Sequence, residues 1–84
     1  MTYTKTKFDD VILIQPDIYK DDRGYFFESF KSKELCENIT DVNFVMEFES
    51  KSKKNTLRGL HYQANPKGQE KLVHVSYGKV LDII

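Results

Sequence analysis

A chain of 84 residues holds one small domain and excludes a two-domain architecture. Its 13 basic and 13 acidic side chains cancel and are interspersed, which excludes a whole-molecule field for nucleic acid or an anionic membrane. Six Phe and five Tyr against two Pro argue against disorder. A domain of this size buries only roughly 60–65% of its unfolded surface, so oligomerisation is the expected supplement to its core.

The single cysteine, Cys36, can form neither an intrachain disulfide nor a zinc site, which fits a cytoplasmic protein. The opening M-T-Y-T-K-T-K-F-D-D-V lacks the apolar core of a signal peptide. No apolar run approaches the roughly 18 residues of a membrane span. A soluble protein is expected.

In chain order, D-V-I-L-I-Q-P (residues 10–16) is β-branched, apolar and closed by a proline, which predicts a first strand. K-D-D-R-G (residues 20–24) is turn chemistry: Asp21 and Asp22 can bond their own backbone and Gly24 is free to take a positive φ. Y-F-F-E-S-F (residues 25–30) reads as a second strand, with Phe26, Glu28 and Phe30 on one face and Tyr25, Phe27 and Ser29 on the other. K-S-K-E-L-C-E-N-I-T (residues 31–40) is the one helix candidate, with Ser32 as N-cap and an apolar side made by Leu35 and Ile39. V-N-F-V-M-E-F (residues 42–48) is strand-like, K-S-K-K-N (residues 51–55) is a charged turn, and T-L-R-G-L-H-Y-Q (residues 56–63) is a further strand. A-N-P-K-G-Q (residues 64–69) reads as a loop, and residues 71–84 as two apolar strands about a Tyr77-Gly78-Lys79 turn. Short strands, turn signals and one minor helix predict an all-β antiparallel sandwich or barrel forming a single domain over residues 1–84. The apolar V-L-D-I-I at residues 80–84 needs strand neighbours, from a partner subunit or from further chain, and the second is the preferred expectation: a fragment of a longer protein.

Arginine and histidine inside T-L-R-G-L-H-Y-Q are awkward to bury. Strict alternation puts Arg58 and His61 on opposite faces, but Gly59 between them permits a bulge that turns both toward one cavity. The plainer alternative leaves Arg58 in solvent and His61 as a satisfied core histidine. Lys71 is either the solvated end of an edge strand or a cation beside that cavity. Arg23 in its turn is a surface charge unless a ligand meets it. Glu28, between Phe26 and Phe30, requires a cationic or hydrogen-bonding partner. His74, between Val73 and Val75, is a packing or surface histidine, and its spacing from His61 matches no metal motif. No phosphate loop, G-x-S-x-G elbow, His-x-His pair or cysteine cluster is present.

D-D-R-G-Y-F-F-E-S-F, N-F-V, S-K-S-K-K-N-T-L-R-G-L-H-Y-Q and G-Q-E-K-L-V-H-V-S-Y-G-K-V-L-D, in that order and at that spacing, resemble the amino-terminal half of the dTDP-4-dehydrorhamnose 3,5-epimerase family over residues 10–84. The resemblance implies a cupin-type β-jelly roll, of which this chain is the amino-terminal part. It also implies a homodimer with exchanged amino-terminal strands, no metal and no cofactor. The implied substrate is dTDP-4-dehydro-6-deoxy-D-glucose, epimerised at C3 and C5 on the route to dTDP-L-rhamnose and bacterial surface polysaccharide. His61 is then the catalytic base. Arg58 and Lys71 line the same cavity, and Arg23 and Glu28 contact substrate in the neighbouring subunit's site, with Phe26 a weaker candidate. Where the family commonly reads F-V-Q-D-N, this chain has F-V-M-E-F, so Met46 and Phe48 stand where amide side chains face substrate. They cannot make the same hydrogen bonds. The family's second half supplies the tyrosine that reprotonates the sugar and the carboxylate that orients the histidine.

The chemistry suits these residue types. C3 and C5 flank a C4 ketone, so loss of either proton leaves an enolate with its charge on the C4 oxygen. The base needs a pKa near neutrality, where histidine as a residue type starts, at about 6.5. A fixed cation such as Lys71 stabilises the enolate oxygen, and arginine's planar fork suits a diphosphate. Two alternatives stay open: a truncated or degenerate paralogue that dimerises and binds a nucleotide sugar without turnover, and a related enzyme acting at one carbon of a dTDP-ketosugar.

Overall fold

A computed structural model describes residues 1–84. Its regular structure is mostly strand with one short helix: β1 (Thr2–Lys5), β2 (Ile12–Gln15), β3 (Tyr19–Asp21), β4 (Gly24–Phe26) and α1 (Ser32–Asn38). The strands form two separate antiparallel pairs, β1 with β2 and β3 with β4. The chain divides into two units, Met1–Phe48 and Glu49–Ile84.

In the first unit the strand expected over residues 10–16 forms as Ile12–Gln15, and its side chains alternate, Ile12 and Ile14 half-buried and Leu13 and Gln15 exposed. This is the period of two that a one-sided sheet imposes. Its partner β1 is not among the expected strands, because T-Y-T-K carries no apolar run. Threonine and tyrosine nevertheless favour the pleated backbone, and Tyr3 stands opposite Ile14 in the ladder. The connection is closed locally: the Phe8 amide donates to Thr6 Oγ1 at 3.1 Å, and that hydroxyl donates to the Val11 carbonyl at 2.8 Å. Tyr3 also reaches α1, its phenol donating to Glu34 Oε2 at 3.1 Å. Partial burial, with the Glu34 carboxylate beside it, pushes the phenol above its ordinary value.

Helix α1 lies within the expected residues 31–40, but its N-cap is Lys31 and not Ser32. Lys31 keeps the extended conformation of an N-cap (φ −133°, ψ 120°), whereas Ser32 is already helical and cannot take that role. Lys31 offers no capping oxygen, so no side chain caps the first turn. Of the expected apolar pair only Leu35 is buried, at 3% exposure, and Ile39 is the half-exposed C-cap residue.

The β3–β4 hairpin forms at the expected turn. Asp21 pairs with Gly24, the Arg23 amide donates to Asp21 Oδ1 at 2.8 Å, and Gly24 takes φ +142°, a conformation that favours glycine. The strand expected over residues 25–30 extends only to Phe26. Beyond it the Tyr25 and Phe27 rings stack at 6.0 Å, and Phe30 meets Phe44 edge to face at 6.3 Å.

The strands expected over residues 42–48, 56–63 and 71–84 do not form: none of these segments has a hydrogen-bonded neighbour or regular structure. A strand is stabilised by its ladder and by one covered face, and these segments have neither. Their turns do form. Asn55 takes φ 66° and the Thr56 amide donates to the Lys53 carbonyl at 3.2 Å, while Gly78 takes φ +93° within the expected Tyr77-Gly78-Lys79 turn.

Leu35 is the one buried apolar side chain, and large apolar side chains such as Leu57, Leu60 and Tyr77 stand 89–97% exposed. A single buried leucine contributes only about 1.5–3 kcal/mol. In dilute solution the 84-residue chain is therefore expected to bind a hydrophobic dye such as ANS and to unfold without a sharp thermal transition. A monodisperse monomer with a cooperative melt and no dye binding contradicts this.

Candidate functional site

In the second unit, His61, Tyr62, Gln63, Gln69 and Lys71 line a shallow recess of about 260 Å³. The expected loop of residues 64–69 creates it. The Lys67 amide donates to the Ala64 carbonyl at 3.0 Å, and the Asn65 side chain lies over Gly68, where a Cβ would stand 3.1 Å from its Oδ1. The chain doubles back, and His61 and Lys71, ten positions apart in sequence, come to line one recess. The recess thus brings together an imidazole, a phenol, two carboxamides and an ammonium. The imidazole can accept a proton and the ammonium can stabilise an anion.

Arg58 is not among the residues lining this recess. Gly59 takes a conformation that favours glycine, φ +109°, but with no paired strand around it there is no bulge. The Arg58 side chain instead donates from Nε to Ser52 Oγ at 2.9 Å. In this structure Arg58 stands outside the His61 recess, its guanidinium held by a hydroxyl of the preceding charged turn.

In the first unit, Arg23 and Phe26 line a second recess, of about 320 Å³, along the β3–β4 hairpin with Tyr19, Lys20, Asp21 and Tyr25. Arg23 donates to Asp21 Oδ2 from Nε at 3.2 Å and from Nη2 at 2.7 Å. That guanidinium holds the Asp21 carboxyl below its ordinary range. Glu28 lies outside this recess. The cation it requires is Lys31, with Nζ 3.5 Å away and both side chains half exposed, a geometry worth little to stability. Met46 and Phe48 are 63% and 80% exposed.

Gln63, Gln69 and Ser52 carry no expectation from sequence, because single amides and hydroxyls in a polar chain give no periodic or motif signal. Asp21 is different. An aspartate two residues before an arginine in a turn can reach both its amide and its guanidinium, and that spacing is itself a signal. Cys36 is exposed and its thiol donates weakly to Asp41 Oδ1 at 3.8 Å. The negative charge of Asp41 raises its pKa, so it is not an activated nucleophile. No group of three or more His, Cys, Asp or Glu side chains converges as a ligand set for a metal ion. No helix is long and apolar enough to cross a membrane.

His61 and Lys71 share a recess in the second unit, and Arg23 lies on the hairpin of the first. Comparison with known proteins gives the class: a model of dTDP-sugar isomerases matches residues 5–84. The chain belongs to that family, described as dTDP-4-dehydrorhamnose 3,5-epimerase. The dTDP-4-dehydrorhamnose 3,5-epimerase of Salmonella typhimurium is 44% identical over 84 residues, covering 99% of this chain and 46% of that protein. The protein of the same name from Escherichia coli K12 is 41% identical over 85 residues, with 99% and 45% covered. That of Methanothermobacter thermautotrophicus is 44% identical over 81 residues, with 96% and 43% covered. The chain spans less than half the length of these curated relatives. No solved structure matches it significantly.

Proposed function

We propose that this chain is the amino-terminal part of a cupin-type jelly-roll epimerase that converts dTDP-4-dehydro-6-deoxy-D-glucose by inversion at C3 and C5, for dTDP-L-rhamnose synthesis. The observation that carries the reading is the recess shared by His61 and Lys71 in a chain of this family. His61 takes the proton from C5 or C3, the electron pair moves onto the C4 oxygen, and Lys71 stabilises that oxyanion. Delivery of a proton to the opposite face of the carbon completes each inversion. The acid that delivers it is the tyrosine the family carries beyond the region matched here. Arg58 takes the diphosphate, Arg23 and Glu28 contact the nucleotide sugar in the neighbouring subunit's site with Phe26 alongside, and Met46 and Phe48 offer an apolar surface where relatives offer amides. No metal or cofactor enters these steps.

The active form in this reading is a cytoplasmic homodimer with exchanged amino-terminal strands, and β1 is the strand so exchanged. The apolar side chains exposed in residues 42–84 are then covered within the completed jelly roll. The test is the stereochemistry of the product: ring proton couplings in the NMR spectrum distinguish inversion at both carbons from inversion at one. Unreacted substrate, or inversion at C3 alone, sinks the 3,5-epimerase reading.

A second reading, a non-catalytic paralogue that only binds a nucleotide sugar, is favoured by Met46 and Phe48 in place of amides. Exchange of a substrate proton with solvent eliminates it.

A further inference from the structure

Arginine on an exposed turn is ordinarily a loosely ordered side chain, and ordering it on binding costs free energy that weakens the complex. Arg23 is 90% exposed, yet Asp21 makes three contacts with it. Oδ1 accepts the Arg23 amide at 2.8 Å, and Oδ2 accepts Nε at 3.2 Å and Nη2 at 2.7 Å. The carboxylate is itself fixed by the hairpin, in which Asp21 pairs with Gly24. The Arg23 guanidinium in turn holds the Asp21 carboxyl below its ordinary range.

These contacts occupy one edge of the guanidinium. Of its five donors, Nε–H and one Nη2–H are taken. Both hydrogens of Nη1 and the outer hydrogen of Nη2 remain, and the outer hydrogens of the two Nη atoms form the end-on fork that grips a phosphate or carboxylate. We propose that Asp21 is the positioning residue of Arg23, holding the guanidinium by its Nε edge so that the free Nη edge is presented to an anionic group of the nucleotide sugar. The inference rests on the reading of Arg23 as a substrate-binding residue and adds the group that orients it. Asp21 does not itself touch the ligand. It sacrifices part of the net charge of the hairpin in return for a defined direction, whereas Arg58, held by the neutral Ser52 hydroxyl, keeps its charge uncompensated.

The test uses Asp21→Asn, which keeps the Oδ1 acceptor that closes the turn and puts an amide donor where Oδ2 received the guanidinium. Affinity for dTDP is measured by calorimetry for the protein and its Asp21→Asn, Arg23→Ala and doubly substituted variants, and solvent exchange of the Arg23 Nε–H is followed by 15N NMR. The expected result is binding about two- to fivefold weaker in Asp21→Asn, no further loss when it is added to Arg23→Ala, and faster Nε–H exchange. An equal loss in both backgrounds, or unchanged Nε–H exchange, overturns the positioning role. Unchanged dTDP affinity in Arg23→Ala overturns the binding role of Arg23 instead, and the exchange rate then reads the hold of Asp21 separately.

Discussion

His61→Ala is expected to lower epimerase turnover by about 10²- to 10⁴-fold, the usual worth of a positioned general base, while substrate affinity changes little. Abstraction of a proton from carbon is the step for which the substrate has no internal help, and the His61 imidazole is the one group in its recess with a basic ring nitrogen to accept that proton. Its neighbours there are a phenol, two carboxamides and an ammonium. An ammonium has no lone pair with which to accept a proton, and carboxamides are too weakly basic to do so. Steady-state kinetics on a 4-keto dTDP-sugar decides the matter: a loss confined to kcat fits a base, and a variant within a few-fold of the parent excludes His61 from proton abstraction.

Lys71→Met is the second large expectation, with kcat lower by about 10²- to 10³-fold, the cost of removing one donor from a site that stabilises an oxyanion. Methionine keeps the stem of the side chain and removes the charge, so packing along the recess is retained. Lys71→Arg restores the charge with different geometry and is expected to recover part of the loss. If Lys71 is a solvated surface lysine, both variants turn over normally. A rise in KM with kcat intact assigns it to binding the ground state of the substrate and removes it from the enolate step.

The hairpin is legible in sequence because its determinants are local: Asp21, Arg23 and Gly24 lie within four positions and settle the turn among themselves. The turns at residues 53–56 and at Tyr77-Gly78-Lys79 are legible for the same reason. Residues 56–63 and 71–84 carry equally good strand chemistry and form no strand, because a ladder needs a second chain segment in register and local sequence cannot supply one. The placement of α1 is readable from Leu35 and its flanks, whereas its cap is not, since Ser32 and Lys31 differ by one position and only the backbone decides between them.

The site divides along the same line. On pattern alone His61 reads as a core histidine and Lys71 as the solvated end of an edge strand, and the family resemblance singles them out; the loop between them carries the proline and glycine that return the chain upon itself. Arg58 illustrates the limit. Gly59 bends as its sequence position allows, but the destination of a long flexible side chain depends on which oxygen is nearest, and that oxygen is on Ser52. The partner of Glu28 is foreseeable as a type and not as a residue, because Lys31 becomes its neighbour only where the strand ends at Phe26.

The most direct test of the central claim, that His61 initiates epimerisation by removing a proton from carbon, is NMR of dTDP-4-dehydro-6-deoxy-D-glucose incubated with the protein in D2O. Deuterium entering C3 and C5 with the protein, and neither position with His61→Ala, is the result predicted here. Deuterium entering at the same rate with both, or with neither, contradicts it.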